Sequence, residues 1–178
     1  MYNPYQPNSN HNPMNIPMHC NCMIYPHWMY PPMHCPNHRE KCPALKDYGP
    51  MPFVLNIEEA AIRNDNFRLT LWTGKHLQLT LMSIRVGEDI GLEMHPDVDQ
   101  FIRIEQGQGI VKMGNRKNNL NFQSRFSEDD AIFIPAGKWH NVINTGCVPI
   151  KLYSIYAPPE HPHGTVHQTK EDAEEHHH

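Results

Sequence analysis

The chain has no run of apolar residues approaching the ~18 that a membrane-spanning helix needs, so no membrane partner is expected. Its amino terminus lacks a basic start followed by a continuous apolar stretch, so no secretory signal is expected and a cytosolic origin is the expectation. No stripe of Lys and Arg stands out, and the net charge is −4 with histidines neutral. Without clustered cations to meet phosphates, nucleic acid is not an expected partner. Apolar residues make up only 39% of the 178, low for a chain packed into one globule throughout. Cysteine is scarce where a core would lie. Cys20, Cys22, Cys35 and Cys42 precede residue 50 and only Cys147 follows, so no disulfide framework is expected inside a folded domain.

What is present divides the chain in three. Residues 1–50 hold ten of the 17 prolines and are rich in Asn, His, Met, Tyr and Cys, with Pro-Met-His-Cys at 17–20 and again at 32–35. Proline at this density removes backbone donors and favours extended chain, so this arm is expected to be disordered alone. Residues 51–160 are long enough for a single core. Residues 161–178 read as a tail in which Thr169 can cap a short helix over 170–175; the terminal His176–His178 are either native or a purification tag.

Within the middle region a short helix is expected over Ile57–Arg63, with Asn56 as its cap and Glu59 in the first turn. Short strands are expected at 67–72, 76–85, 89–95, 99–106, 108–113, 119–126, 130–135, 138–144 and 149–156. In the second of these Leu77, Leu79 and Leu81 alternate with Gln78 and Thr80, the period of a strand. Glycine-marked turns at this spacing, with almost no helical period, predict an all-β barrel or sandwich.

Two segments carry the chemistry. Gly87 is followed after five residues by Glu93-x-His95, after four more by Gln100 and after six by Gly107. Asp129 is followed after five residues by Pro135-x-Gly137, after two by His140 and after three by Asn144. On an extended segment residues two apart share a face, so Glu93 and His95 can point together, and Gln100 opens a strand whose Ile102 and Ile104 line the same interior. Pro135 and Gly137 would turn the chain to bring His140 in from elsewhere. Two imidazoles, a carboxylate and an amide oxygen suit one divalent transition metal: Zn, Mn, Fe or Ni.

Both segments resemble the paired motifs of the cupin family, with Glu in place of the first His, Gln in place of Glu, and Asp in place of the second motif's opening Gly. The resemblance implies a double-stranded β-helix, a jelly-roll barrel, with Glu93, His95, Gln100 and His140 as metal ligands. Barrels of this family commonly pair, which implies a homo-oligomer. The ligand inventory is similar to that of zinc-dependent phosphomannose isomerases, with the Gln and Glu positions exchanged. That likeness implies metal-assisted proton transfer between adjacent carbons of a sugar phosphate. Lys75, His76, Lys151 and Tyr153 flank strands and are candidates for its acid–base or phosphate-binding groups. Trp72 and Trp139 either stack on a ring-shaped ligand or pack the barrel. Other cupins with two His and a carboxylate are iron-dependent dioxygenases, a second enzymatic reading.

A non-catalytic reading comes from the arm, whose composition resembles that of small bacterial spore-coat proteins. It implies a cupin scaffold held in an assembled layer by arm-to-arm cross-links. A zinc site through Cys20, Cys22, Cys35 and either His38 or Cys42 is a further reading of the same residues.

Overall fold

A computed structural model describes residues 43–175; the arm cysteines, His38 and His176–His178 lie outside the described residues. The described chain opens with α1 (Ile57–Arg63), capped as expected by Asn56, whose Oδ1 accepts from the Glu59 amide at 3.1 Å. Nine strands follow: β1 (Arg68–Thr73), β2 (Gln78–Ile84), β3 (Asp99–Gln106), β4 (Gln108–Gly114), β5 (Phe122–Ser127), β6 (Ala131–Ile134), β7 (Trp139–Asn144), β8 (Ile150–Ala157) and β9 (Val166–His167). The short α2 (Lys170–Glu175) comes last. They form a six-stranded sheet in the order β6-β3-β8-β2-β1-β9 and a three-stranded sheet in the order β5-β4-β7, with antiparallel pairing throughout. This is the expected all-β jelly-roll architecture.

The main core lies between the sheets, with Met82, Ile84, Ile104 and Leu152 from the larger meeting Val111 and Val142 from the smaller. A second cluster covers the outer face of the larger sheet, where Ala60 and Ala61 of α1 pack on Leu69, Leu71 and Leu81. The alternation in β2 therefore has both faces covered. Leu79 and Leu81 face outward under α1, while Gln78, Thr80, Met82 and Ile84 line the interior. The buried polar members of that inner set gather at one end of the barrel. The register puts Gln78 beside Tyr156 and Tyr156 beside Gln100, then Thr70 beside Thr80 and Thr80 beside Ser154. Toward the other end the same strands present Ile84, Ile150 and Ile104.

Residues 89–95, expected as a strand, do not form one. They touch β7 only through isolated bridges, Asp89 to Ile143 and Glu93 to His140. Gly91 at φ +89° explains the break: its amide is held by Asp89 Oδ1 at 2.9 Å in a turn that a side chain would strain. The other eight expected strands are present, 99–106 at its expected bounds and the rest with shifted ends.

After residue 160 the chain stays on the barrel. β9 pairs with β1, and Ala173 of α2 joins the main core. Asp47 fastens the opposite end of the described chain, accepting from the Gly49 amide, from the amide and hydroxyl of Thr73 (3.0 and 2.6 Å), and from the Gly164 amide. Cys147 is engaged rather than a free thiol. No helix among the described residues is long and apolar enough to cross a membrane.

Candidate metal centre

The bridge between Glu93 and His140 is what assembles the centre. The two residues exchange backbone hydrogen bonds at 3.0 and 2.9 Å, and the His95 carbonyl accepts from the Gly137 amide at 2.7 Å. Each of the two motif segments is thus pinned to the other at its ligand positions. Glu93, His95 and His140 each offer a ligand atom, and those atoms all lie within 4.8 Å of one another. They form a group that can hold a metal ion. His95 and His140 are buried and Glu93 nearly so.

The outer contacts orient the inward atoms. His95 Nδ1 lies 2.9 Å from Glu160 Oε1, and His140 Nδ1 lies 2.9 Å from the Lys138 carbonyl. A ring nitrogen facing a carboxylate or a carbonyl carries the hydrogen, so in each neutral imidazole the Nε2 lone pair is left pointing inward. Both Nε2 atoms are buried without a hydrogen-bond partner. His95 Nε2 stands 3.3 Å from Glu93 Oε2 without the alignment of a hydrogen bond, while Glu93 Oε1 accepts from Arg68 Nη2 at 2.9 Å. Two acceptors face each other across a gap that only a proton or a cation can make favourable.

The electrostatics agree. Burial opposes ionisation of Glu93, but the Arg68 guanidinium and the neighbouring histidines outweigh it and hold its pKa at about 2. Burial opposes charging of His95 as well, and the carboxylates on its two sides overcome that and raise its pKa. For His140 burial dominates and the pKa is lowered, which keeps the ring neutral and its lone pair available.

Gln100 is buried on β3 as expected, next to Tyr156 in the register. Its Nε2 donates to Ser154 Oγ at 2.9 Å, and its Oε1 is buried with no donor. The Tyr156 ring stands edge-on to His95 at 5.7 Å, with its hydroxyl pushed up to about 12 by burial. Glu93 and His95 open onto a cleft of about 610 Å³ that is lined in part by Lys170, Ala173 and Glu174 of α2.

Of the other candidates, Lys75 and His76 are exposed in the turn before β2. Lys151 is buried and donates to the Asn64 carbonyl at 2.5 Å and Asp65 Oδ1 at 2.8 Å. Tyr153 packs under α1 with the outer cluster. None of these four lines the cleft. Trp72 donates to the Met51 carbonyl and Trp139 carries Lys117 over its ring, so both are engaged within the protein. No pattern in the sequence marks Arg68 or Glu160 as part of the centre. Only the barrel register reveals Arg68, and Glu160 sits in the Pro-Pro-Glu-His stretch that reads as the end of the domain.

A family model described as a cupin domain matches residues 80–156, a span containing all four expected ligands. The uncharacterized protein YrkC of Bacillus subtilis (strain 168) is 69% identical over 129 residues, covering 72% of this chain and 69% of that protein. The uncharacterized protein L612 of Acanthamoeba polyphaga mimivirus is 42% identical over 115 residues, covering 64% of this chain and 70% of that protein. Among solved structures, BH2720 from Bacillus halodurans is 65% identical with a TM-score of 0.72, covering 73% of this chain and 98% of that one. The motif spacing, the two facing sheets and the family match converge on residues 80–156: the chain carries a cupin domain, and it is a relative of YrkC and L612.

Proposed function

We propose that this cupin is a divalent-metal protein in which Glu93, His95, His140 and Gln100 form the ligand set, and that it binds an oxygen-bearing small molecule at the metal. The observation that carries the reading is that Glu93, His95 and His140 bring ligand atoms within 4.8 Å of one another while His95 Nε2, His140 Nε2 and, on β3, Gln100 Oε1 are buried without partners. Burying several unpaired polar atoms together costs ~1–3 kcal/mol for each, so such a set calls for a shared cation. A bound metal would supply Lewis-acid polarisation of a substrate carbonyl or acidified water. The chain's own residues hold the geometry. Glu160 and the Lys138 carbonyl fix the two ring orientations, and Arg68 takes one Glu93 oxygen so that the other is presented inward. Ser154 fixes the amide of Gln100 with its oxygen free.

The sugar-phosphate isomerase reading asks for more than a metal. It needs a phosphate-binding cation cluster, and the cations expected to supply one do not reach the cleft. We therefore place the function at the level of metal-dependent chemistry on a small oxygen ligand. Elemental analysis of the full chain with His176–His178 removed tests this. A divalent metal should co-purify or load stoichiometrically, and Glu93→Ala and His140→Ala should each abolish it while circular dichroism stays β-rich. Unchanged metal content in both variants would sink the proposal. A metal-loaded protein that interconverts mannose and fructose 6-phosphates would restore the isomerase reading.

A further inference from the structure

The cleft bordered by Glu93 and His95 has the size of a small-molecule site. Its wall is mostly apolar: Phe67, Ile90, Leu92 and Met94, with Ala173 contributed by α2. Three cations border it, and each has a partner already. Arg68 donates to Glu93 at 2.9 Å, Lys170 to Asp89 at 2.5 Å, and Lys117 lies 5.6 Å from the centre of the Trp139 ring. Glu160 and Glu174 add negative charge to the same rim. A polyol phosphate entering here would shed its water against carbon and meet carboxylates as readily as cations. An apolar body in the same place gains by leaving water.

We infer that the cleft takes a small molecule with two parts: an oxygen head that ligates the metal, and an apolar ring or chain that lies on Phe67, Ile90, Leu92 and Met94. This rests on the metal reading above and goes beyond it by naming the ligand class. The head is directed by Glu93 and His95, which are at once metal ligands and part of the cleft wall. The body follows the apolar wall from there toward α2.

Acetohydroxamate and benzohydroxamate test the inference, because they share one chelating head and differ in the apolar body. Each is titrated calorimetrically into full chain whose metal content has been measured beforehand. The phenyl compound should bind at least about tenfold tighter, as expected for burying a ring against carbon. Leu92→Asn, which alters the wall and leaves the ligands in place, should cut that preference to about threefold or less. Mannose 6-phosphate should not compete with either. If no metal loads, the underlying metal reading fails. If metal loads but the hydroxamates bind equally, bind not at all, or are displaced by mannose 6-phosphate, the ligand class is wrong and the metal site stands.

Discussion

The histidines of the centre owe their orientation to atoms on the side away from it. Glu160 does this for His95 across 2.9 Å, from a loop 65 residues further along the chain. Removing such an outer partner typically weakens metal binding ~10–100-fold, because the ring can then rotate or change tautomer. Glu160→Ala should show a loss of that size in competition with a chromophoric chelator. Glu160→Gln, which keeps an acceptor oxygen, should lose less. Equal affinity in all three proteins would show that Glu160 does not hold the ring. Arg68 is the other outer group, almost fully buried on the inner face of β1 with its charge directed at Glu93. Arg68→Met strands that carboxylate, and metal-free protein should lose about 3–5 kcal/mol in urea unfolding. Arg68→Met combined with Glu93→Met should recover most of the loss, since an apolar pair leaves no charge uncompensated. A double variant as unstable as the single one would show that Arg68 acts through packing alone.

At the scale of elements, sequence patterns located strands better than they assigned faces. The leucines of β2 gave its period correctly, but both of its sides are covered. In this barrel the polar residues Gln78 and Thr80 point inward and Leu81 points outward under α1. Hydrophobicity alone cannot separate those two burials. Segment 89–95 misled for a related reason: its alternation is that of a strand, and a single positive-φ glycine breaks it into two bridges. The ends of the described chain were the least legible, because their fastening is polar and local. Asp47 joins residues 47–49 to the end of β1 and to the 163–164 turn. Burial opposes its ionisation, yet the hydrogen bonds from Thr73, Gly164 and Gly49 and the nearby His163 prevail and lower its pKa. A carboxyl whose pKa is lower folded than unfolded stabilises fully above its unfolded value and loses that stabilisation as pH falls through the folded one. Asp47→Ala should cost about 1–3 kcal/mol at pH 7 and flatten the acid side of the stability curve below about pH 4. Denaturant midpoints across pH 2–7 would check this, and an unaltered acid limb would refute it.

For the whole molecule, two facing sheets divide the interior into an apolar end and a polar end, and the candidate site is built from buried polar groups. Motif spacing sufficed to find Glu93, His95 and His140, which the Glu93–His140 bridge and the Gly137 contact draw together, and it put Gln100 on β3, where its side chain is buried. It gave no access to Arg68, Glu160 or the cover formed by α2, which depend on pairings between distant strands and on a carboxy-terminal segment lacking any strong pattern. Metal content alone also leaves a confusion of source, since the chain carries histidines and cysteines outside residues 43–175 and three histidines at its end. Position resolves that. The most direct measurement is an anomalous difference map from crystals of metal-loaded full chain, collected above and below the absorption edge. A single strong peak within coordination distance of His95 Nε2, His140 Nε2 and a Glu93 oxygen is expected, with Gln100 Oε1 turned toward it. Metal-replete crystals showing no peak among these atoms, or peaks only at the histidine-rich ends, would contradict the metal centre.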